Sequence, residues 1–108
     1  MNELTAKQIS ALAAELKNLN FSVHSLDRLK ERGIFISDVQ NALLHGEIIE
    51  QYPDDYPFPS CLVIGGSCGG KTMHVCCGIG DNKIWVITAY FPAADKWESD
   101  MKTRKVVK

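Results

Sequence analysis

The chain of 108 residues is predicted to fold as an α+β domain, with N-terminal helices packed on an antiparallel sheet of about four strands. Apolar residues recur at helical spacing in the first half of the chain and alternate at strand spacing in the second half. Short turns that contain glycine or asparagine separate the later runs, which is typical of an antiparallel meander.

Length and composition indicate one domain over residues 1–108, since this length supports one hydrophobic core but not two. The hydrophobic fraction is 45% and the charged fraction 23%, as in an ordinary soluble globule. The formal net charge is −1, so any anion must be bound by a local patch. The chain has no apolar run long enough to cross a bilayer and no signal-peptide pattern, so we expect a cytoplasmic protein without membrane contact.

Three helices are predicted, each with its own end signals. The first spans Thr5–Asn18, where Thr5 and Gln8 form a capping box. Ser22 caps the second helix, and Gly33 ends it in the left-handed conformation. For the third helix we expect a cap at Ser37 and an end at Gly46 by the same device as Gly33. Leucines of the second helix are expected in the core, namely Leu26 and Leu29.

The second helix carries cationic side chains at a regular interval. His24, Arg28 and Arg32 recur every fourth residue and therefore share one helical face. Like charges at this spacing repel one another unless an anion lies across them. That anion is either a bound ligand or a carboxylate of the same helix, Asp27 or Glu31.

Four strands are predicted after the helices: Glu47–Tyr52, Ser60–Ile64, Thr72–Ile79 and Ile84–Phe91. Alternation places His74 on the face of its strand opposite Met73, Val75 and Cys77. In the last strand it assigns Trp85, Ile87 and Phe91 to an apolar core face, and Thr88 and Tyr90 to the other. Ile84 and Val86 share the face of Thr88 and Tyr90, which leaves the assignment of this strand open.

The cysteines are expected to be reduced and mostly buried as small apolar residues, and no metal or cofactor is expected. The alternative is a zinc ion held by Cys61, Cys68, His74 and Cys76. Cys76 and Cys77 are adjacent on a strand and point to opposite faces, so they do not readily serve one metal.

Several motifs in order resemble the bacterial domain-of-unknown-function family DUF4258, over roughly Phe21 to Arg104. They are His24-x-x-x-Arg28-x-x-x-Arg32-Gly33-Ile34, Asp38-Val39, Ala42-Leu43, Gly46-x-Ile48-Ile49-Glu50-x-Tyr52, Pro59-Ser60-x-Leu62, Thr72-Met73-His74-Val75, Ile87-Thr88-x-Tyr90-x-Pro92 and Trp97-x-x-Asp100-x-x-x-Arg104. The resemblance implies a RelE-like two-layer fold, similar to RelE/ParE-like and MqsR-like toxins that cut RNA. Its partner candidates are RNA, a small zinc-finger antitoxin protein and a second copy in a homodimer.

We therefore predict a toxin-like, metal-independent endoribonuclease of a toxin–antitoxin system. His24 and His74 are candidates for the acid and base, because histidine titrates near neutral pH. Tyr90 is a candidate to donate to a phosphate or to stack on a base. The residues predicted to bind phosphate or RNA are Arg28 and Arg32 on the second helix and Arg104 in the tail.

Two alternatives stay open at this point. The first is a non-catalytic module that binds RNA or a protein, because the near-neutral charge and apolar strands also suit an interface. The second is that the basic tail Lys102–Lys108 is merely solvated and carries no RNA.

The segment Ala93–Met101 is either a short helix or a loop packed across the sheet.

Overall fold

A computed structural model describes residues 3–105, and in this range three α-helices pack on a five-stranded sheet. The α+β class is confirmed. The helices are α1 Ala6–Ala13, α2 Val23–Glu31 and α3 Ile36–His45. The strands are β1 Leu19–Phe21, β2 Glu47–Tyr52, β3 Ser60–Gly66, β4 Thr72–Gly80 and β5 Lys83–Tyr90. Among these residues, no helix is both long and apolar enough to cross a membrane.

The sheet has the strand order β1-β5-β4-β3-β2. Strands β2 to β5 form the predicted antiparallel meander. The sequence did not indicate β1, which pairs in parallel with Ile84–Val86 of β5. This strand has only 3 residues, too few to show an alternating pattern. It covers the outer edge of β5 only as far as Val86.

Three of the six predicted helix ends are confirmed as predicted. The Thr5 hydroxyl accepts from the Gln8 backbone N–H at 3.1 Å, and the Gln8 amide oxygen accepts from the Thr5 backbone N–H at 2.9 Å. Ser22 caps α2 by accepting from the Ser25 backbone N–H at 3.0 Å. Gly33 follows α2 with a φ of 69°, so it adopts the left-handed conformation that glycine accommodates readily.

Three details of the helices differ from the prediction. The first helix ends at Ala13 instead of Asn18, because the Asn18 side chain donates to the Leu12 carbonyl and a 3₁₀ turn leads into β1. The N-cap of α3 is Phe35, not Ser37, and the Asp38 carboxylate accepts from the Phe35 N–H at 2.9 Å. Leu26 is 39% exposed rather than in the core.

Gly46 ends α3, but not in the predicted left-handed conformation, since its φ is −85°. It is required instead by close packing. A Cβ at this position would lie 2.4 Å from the Ala42 carbonyl oxygen and 2.5 Å from Cγ1 of Val63. Between α3 and β2 there is therefore room for the hydrogen of a glycine but not for a side chain.

The helices cover one face of the sheet, where Met73, Val75 and Cys77 of β4 are fully buried in the hydrophobic core. The core face predicted for β5 is wrong for Trp85 and Ile87, whereas Phe91 does pack against the core. Ile84 and Val86 face the helices, whereas Trp85 and Ile87 are 36% and 49% exposed. A β-bulge explains the difference, because Cys76 pairs with Thr88 while Cys77 pairs with Val86. Ile87 is the extra residue, and the faces exchange there.

The chain after β5 forms a loop across the sheet face that the helices do not cover. Of the two alternatives for Ala93–Met101, the structure therefore shows the loop and not the short helix. Trp97 is 3% exposed and packs edge-on against His74, with 4.4 Å between ring centroids. A single antiparallel bridge joins Trp97 to Arg104. This loop, residues 91–105, forms one wall of the candidate site.

Candidate functional site

A cleft of about 400 Å³ lies where β5 ends and the loop begins. It brings together three cationic side chains from distant parts of the sequence and the hydroxyl of one tyrosine. Its lining residues are Arg32, Tyr90, Phe91, Ala93, Lys96, Trp97 and Arg104. No carboxylate lines the cleft in the part of the chain that the structure describes. On a protein of net charge −1, the cleft is a local concentration of cationic side chains.

Arg32 is held in place by the edge of β5. Its Nη1 donates to the Ala89 carbonyl at 2.9 Å and to the Thr88 hydroxyl at 3.2 Å. The carbonyl of Ala89 is beyond the stretch of β5 that β1 pairs with. Because a guanidinium has five N–H donors, these two bonds position Arg32 and leave further donors for a ligand.

Arg104 is fixed from the opposite side of the cleft. Its Nε and Nη2 donate to the two carboxylate oxygens of Glu50 on β2, at 2.8 and 3.0 Å. The guanidinium carbon lies 4.7 Å from the centroid of the Trp97 ring. Tyr52 also donates a hydrogen bond to Glu50. The Arg104 hydrogen bonds lower the pKa of Glu50, so the carboxylate remains charged.

His74 lies directly behind Tyr90 and is 0% exposed. The two residues are register partners on β4 and β5, and Nδ1 of His74 is 3.2 Å from the Tyr90 hydroxyl oxygen. Nε2 of His74 is 2.6 Å from the Met101 carbonyl oxygen. A carbonyl only accepts, so Nε2 carries the proton, and in the neutral ring Nδ1 accepts from the Tyr90 hydroxyl. The geometry thus specifies one tautomer.

Burial shifts the pKa values of both members of this pair. It lowers the pKa of His74 from 6.5, and the imidazole is therefore neutral at pH 7. It raises the pKa of Tyr90 from 10.0, so the phenol keeps its proton. Among residues 3–105, the hydrogen-bond partner of the Tyr90 hydroxyl is Nδ1 of His74, and an imidazolium formed there keeps its bond to the Met101 carbonyl. The arrangement can pass a proton from the cleft into the protein.

Four of the residues predicted for the site come together at this point. Arg32, Tyr90 and Arg104 line the cleft, and His74 lies behind it. His74 does not reach the cleft itself, so it acts on a ligand only through Tyr90. Lys96 was missed, because nothing in its local sequence distinguishes it from any exposed lysine.

His24 and Arg28 do not line the cleft. His24 is exposed in the first turn of α2, two turns before Arg32 and roughly 12 Å from it along the helix axis. Arg28 pairs with Glu31 of its own helix at 3.1 Å. The cationic stripe does run along one side of α2, and its last residue, the C-cap Arg32, hydrogen-bonds to β5.

The basic tail is tied to β2. Lys102 pairs with Glu47 at 2.9 Å, and Arg104 pairs with Glu50. Lys108, the last cation of the predicted tail, lies outside the described residues. Within the described part, two of the tail cations are therefore paired with glutamates, and Arg104 also faces the cleft.

The structure does not bring together the four residues of the alternative zinc site. Cys61 and Cys77 are buried register partners on the core side of the sheet, while His74 and Cys76 face the opposite side. Cys68 is exposed in the turn between β3 and β4. Residues 3–105 contain no group of three or more His, Cys, Asp or Glu side chains placed to hold a metal ion.

Comparison with known proteins gives one result. Neither the curated proteins nor the solved structures include a match to this chain. A family model matches residues 21–91, which span α2, α3 and β2 to β5 up to the first residue after Tyr90. The match thus includes Arg32, His74 and Tyr90, but it ends before Lys96 and Arg104. The chain belongs to the family described as a domain of unknown function, DUF4258.

Proposed function

We propose that this protein cleaves single-stranded RNA without a metal ion, in the cleft between Arg32, Lys96 and Arg104. The observation that supports the proposal is the path from Tyr90 to His74 to the Met101 carbonyl, which opens into a cleft lined by cations. Cleavage of a phosphodiester by its own 2′-hydroxyl needs a proton acceptor and stabilisation of the charge on phosphorus. The cations line the cleft, and Tyr90 connects the cleft to the proposed proton acceptor, His74, behind it.

The proposed reaction begins when the 2′-hydroxyl gives its proton to the Tyr90 oxygen while the Tyr90 proton moves to Nδ1 of His74. The 2′-oxygen then attacks phosphorus, and the cations bind the phosphoryl oxygens as negative charge develops on them. Paired donors suit arginine to this task. The bond from phosphorus to the 5′-oxygen breaks, and the leaving oxygen takes a proton from water. The products are a 2′,3′-cyclic phosphate and a 5′-hydroxyl.

The test is incubation of the purified protein with an unstructured RNA oligonucleotide in excess chelator. We expect fragments that end in a 2′,3′-cyclic phosphate. The matched control is the same oligonucleotide with deoxyribose throughout, which binds through its phosphates but lacks the attacking hydroxyl. Cleavage of the deoxy strand, or an inert protein across buffers and RNA sequences, contradicts the proposal.

The second candidate function is RNA binding without cleavage. The observation that favours it is the direction of the two pKa shifts, since Tyr90 holds its proton more firmly than usual and His74 accepts one less readily. The same cleft would then hold a phosphate without chemistry. RNA that is retained intact by the wild-type protein supports this function, whereas the cyclic-phosphate product excludes it.

For the biological setting, we infer a toxin of the RelE/ParE-like kind, with a small zinc-finger antitoxin or a second copy of the chain as partner. The inference rests on the motif resemblance together with the RNA chemistry proposed for the cleft. Expression in a bacterial host should arrest growth, and co-expression of a small zinc-finger protein encoded beside the gene should relieve the arrest. Arrest that persists in the His74→Ala variant favours a binding mode of action over cleavage.

A further inference from the structure

We propose that a second cavity, at the other end of β5, binds an arginine side chain presented by a partner protein. This cavity has a volume of about 660 Å³. Its wall combines aromatic and aliphatic side chains with two carboxylates, namely Tyr56, Phe58, Trp85, Ile87, Asp55 and Asp81. The proposal is independent of RNA cleavage, because none of these residues lines the cationic cleft.

The aromatic side chains leave ring faces for a ligand. Phe58 stacks on Trp85 with 5.9 Å between centroids and 25° between ring planes. The indole N–H of Trp85 already donates to the Gly80 carbonyl at 3.0 Å, so the polar atom of the ring is satisfied. Tyr56 is 91% exposed beside them. Exposed aromatic groups of this kind mark binding surfaces, and their faces attract cations.

The cavity is built into the fold. Phe58 lies against Gly80, where an added Cβ would be 2.2 Å from the phenyl ring, so the ring occupies the space of a missing side chain. Asp81 follows in the tight turn between β4 and β5 with a φ of 56°. The bulge in β5 brings Ile87 onto the same open face. Strand and turn geometry therefore positions Trp85, Ile87 and Asp81, and the contact with Gly80 positions Phe58 from the loop between β2 and β3.

Charge decides which ligand fits. Asp55 and Asp81 line this cavity, and Asp54 lines a neighbouring one of about 480 Å³ that shares Asp55 and Ile87 with it. No lysine or arginine lines either cavity in the described part of the chain. An RNA backbone would be repelled at this surface. A guanidinium is planar, stacks on aromatic rings and pairs with carboxylates, so it satisfies both features of the wall.

The probe for the test is the peptide acetyl-Gly-Leu-Arg-Leu-Gly-amide, titrated into the ¹⁵N-labelled protein. We expect the indole N–H signal of Trp85 to shift while that of Trp97, which is 3% exposed, stays in place. A short peptide binds weakly, with a Kd on the order of 1 mM. The matched control peptide carries Glu in place of Arg and should leave the Trp85 signal unchanged.

Two variants remove charge without removing the cavity. Asp81→Asn retains a residue that tolerates a positive φ, and Asp55→Asn retains an oxygen for the Ser60 hydroxyl, which donates to Asp55 at 2.6 Å. Each substitution should weaken binding of the arginine peptide by about fivefold or more, since a hydrogen bond between two charged groups is stronger than one with a neutral partner. Tyr56→Ala, at an exposed position, tests the aromatic contribution separately and should also weaken binding.

Three outcomes overturn the proposal. The first is equal binding of the Glu and Arg peptides, and the second is unchanged affinity in both aspartate variants. The third is a shift of Trp85 by an oligoadenylate instead of the arginine peptide, which would make the cavity a nucleobase site. The absence of RNA cleavage would contradict the proposed function, but none of the three outcomes above depends on it. The two proposals can therefore be tested independently.

Discussion

The hydroxyl oxygen of Tyr90 lies 3.2 Å from Nδ1 of His74, and the other nitrogen of that ring is 2.6 Å from the Met101 carbonyl oxygen. A histidine placed in this way cannot touch a ligand, yet it determines where the tyrosine proton points. This makes Tyr90 the group that contacts substrate in the proposed reaction and His74 a positioning residue and proton acceptor behind it.

Replacing Tyr90 by phenylalanine should lower the rate of RNA cleavage by about a hundredfold or more, because the group that exchanges a proton with the substrate is lost. RNA affinity should change little, since the cations remain. Single-turnover cleavage and equilibrium binding measure the two effects separately. Tyr56→Phe, which alters an exposed tyrosine outside the cleft, is the control. A Tyr90→Phe protein with the wild-type rate contradicts this role.

Replacing Arg32 by glutamine should weaken RNA binding by about tenfold and reduce the slope of log affinity against log salt by about one. The physical reason is the loss of one phosphate contact at a guanidinium that the β5 edge holds in position. Filter binding across a salt series measures both quantities. Arg28→Gln removes the same charge from the same helix outside the cleft, and it should leave the slope unchanged. Equal effects of the two variants would argue against the cleft.

Cleavage should persist to a lower pH than an ordinary histidine allows. Burial lowers the pKa of His74 from 6.5, and the reaction needs Nδ1 unprotonated. More than half of the maximal rate should therefore remain at pH 6.5, and the loss should follow as the pH falls through the lower pKa of His74 in the folded protein. A pH–rate profile under single-turnover conditions measures this limb. A midpoint above 6.5 for the loss of activity would exclude His74 as the proton acceptor.

Replacing Asp38 by asparagine should destabilise the fold by about 1–2 kcal/mol. Its carboxylate accepts from the backbone N–H groups of Phe35 and Cys68, each at 2.9 Å, and so joins the start of α3 to the turn after β3. These bonds lower the pKa of Asp38 from 3.8, the one from Phe35 most strongly. Their stabilisation is full above 3.8 and is lost as the pH falls through the folded-state value. In urea unfolding, the free energy of unfolding of Asp38→Asn should fall less steeply toward acid pH than that of the wild-type protein. Equal slopes for the two proteins would contradict this role of Asp38.

Replacing Gly65 by alanine should cost about 1–3 kcal/mol of stability, because a Cβ there would lie 2.5 Å from the Ala42 carbonyl oxygen and 2.9 Å from its Cβ. The adjacent Gly66→Ala is a close control, since a Cβ at that position meets nothing within 4 Å. Urea denaturation of both variants measures the difference. Similar stabilities for the two would mean that α3 does not pack on β3 as closely as described.

The sequence predicted the elements whose signals are local. The capping pair of Thr5 and Gln8, the Ser22 cap and the left-handed Gly33 each depend on residues within one turn, and each is confirmed. The Ser37 cap failed because the Asp38 carboxylate satisfies the Phe35 N–H, so the helix begins earlier. Gly46 does end α3, but its predicted left-handed conformation is wrong, because glycine is required there by close packing that includes the long-range neighbours Val63 and Ile64, which no local pattern contains.

The site shows the same limit. Alternation placed His74 and Tyr90 on one face, and both do lie there as register partners. For β5 as a whole, alternation misplaced Trp85 and Ile87, because one extra residue at the bulge exchanges the faces. The cationic stripe on α2 also predicted His24 as a site residue, and His24 does not line the cleft. Spacing along a helix shows which residues share a face, but it does not show which turn of the helix lies next to the sheet. Lys96 enters the cleft because the loop that carries it packs on the sheet through long-range contacts such as that of Trp97 with His74.

The ion pair of Glu50 and Arg104 couples anion binding to acidity. The hydrogen bonds from Arg104 hold the pKa of Glu50 below its ordinary value of 4.5. An anion that draws this guanidinium toward the cleft loosens its hold on the carboxylate, whose pKa then rises. Occupancy and proton uptake at Glu50 consequently favour each other, and the cleft should bind its ligand more tightly as the pH falls below 4.5 toward the folded-state pKa of Glu50.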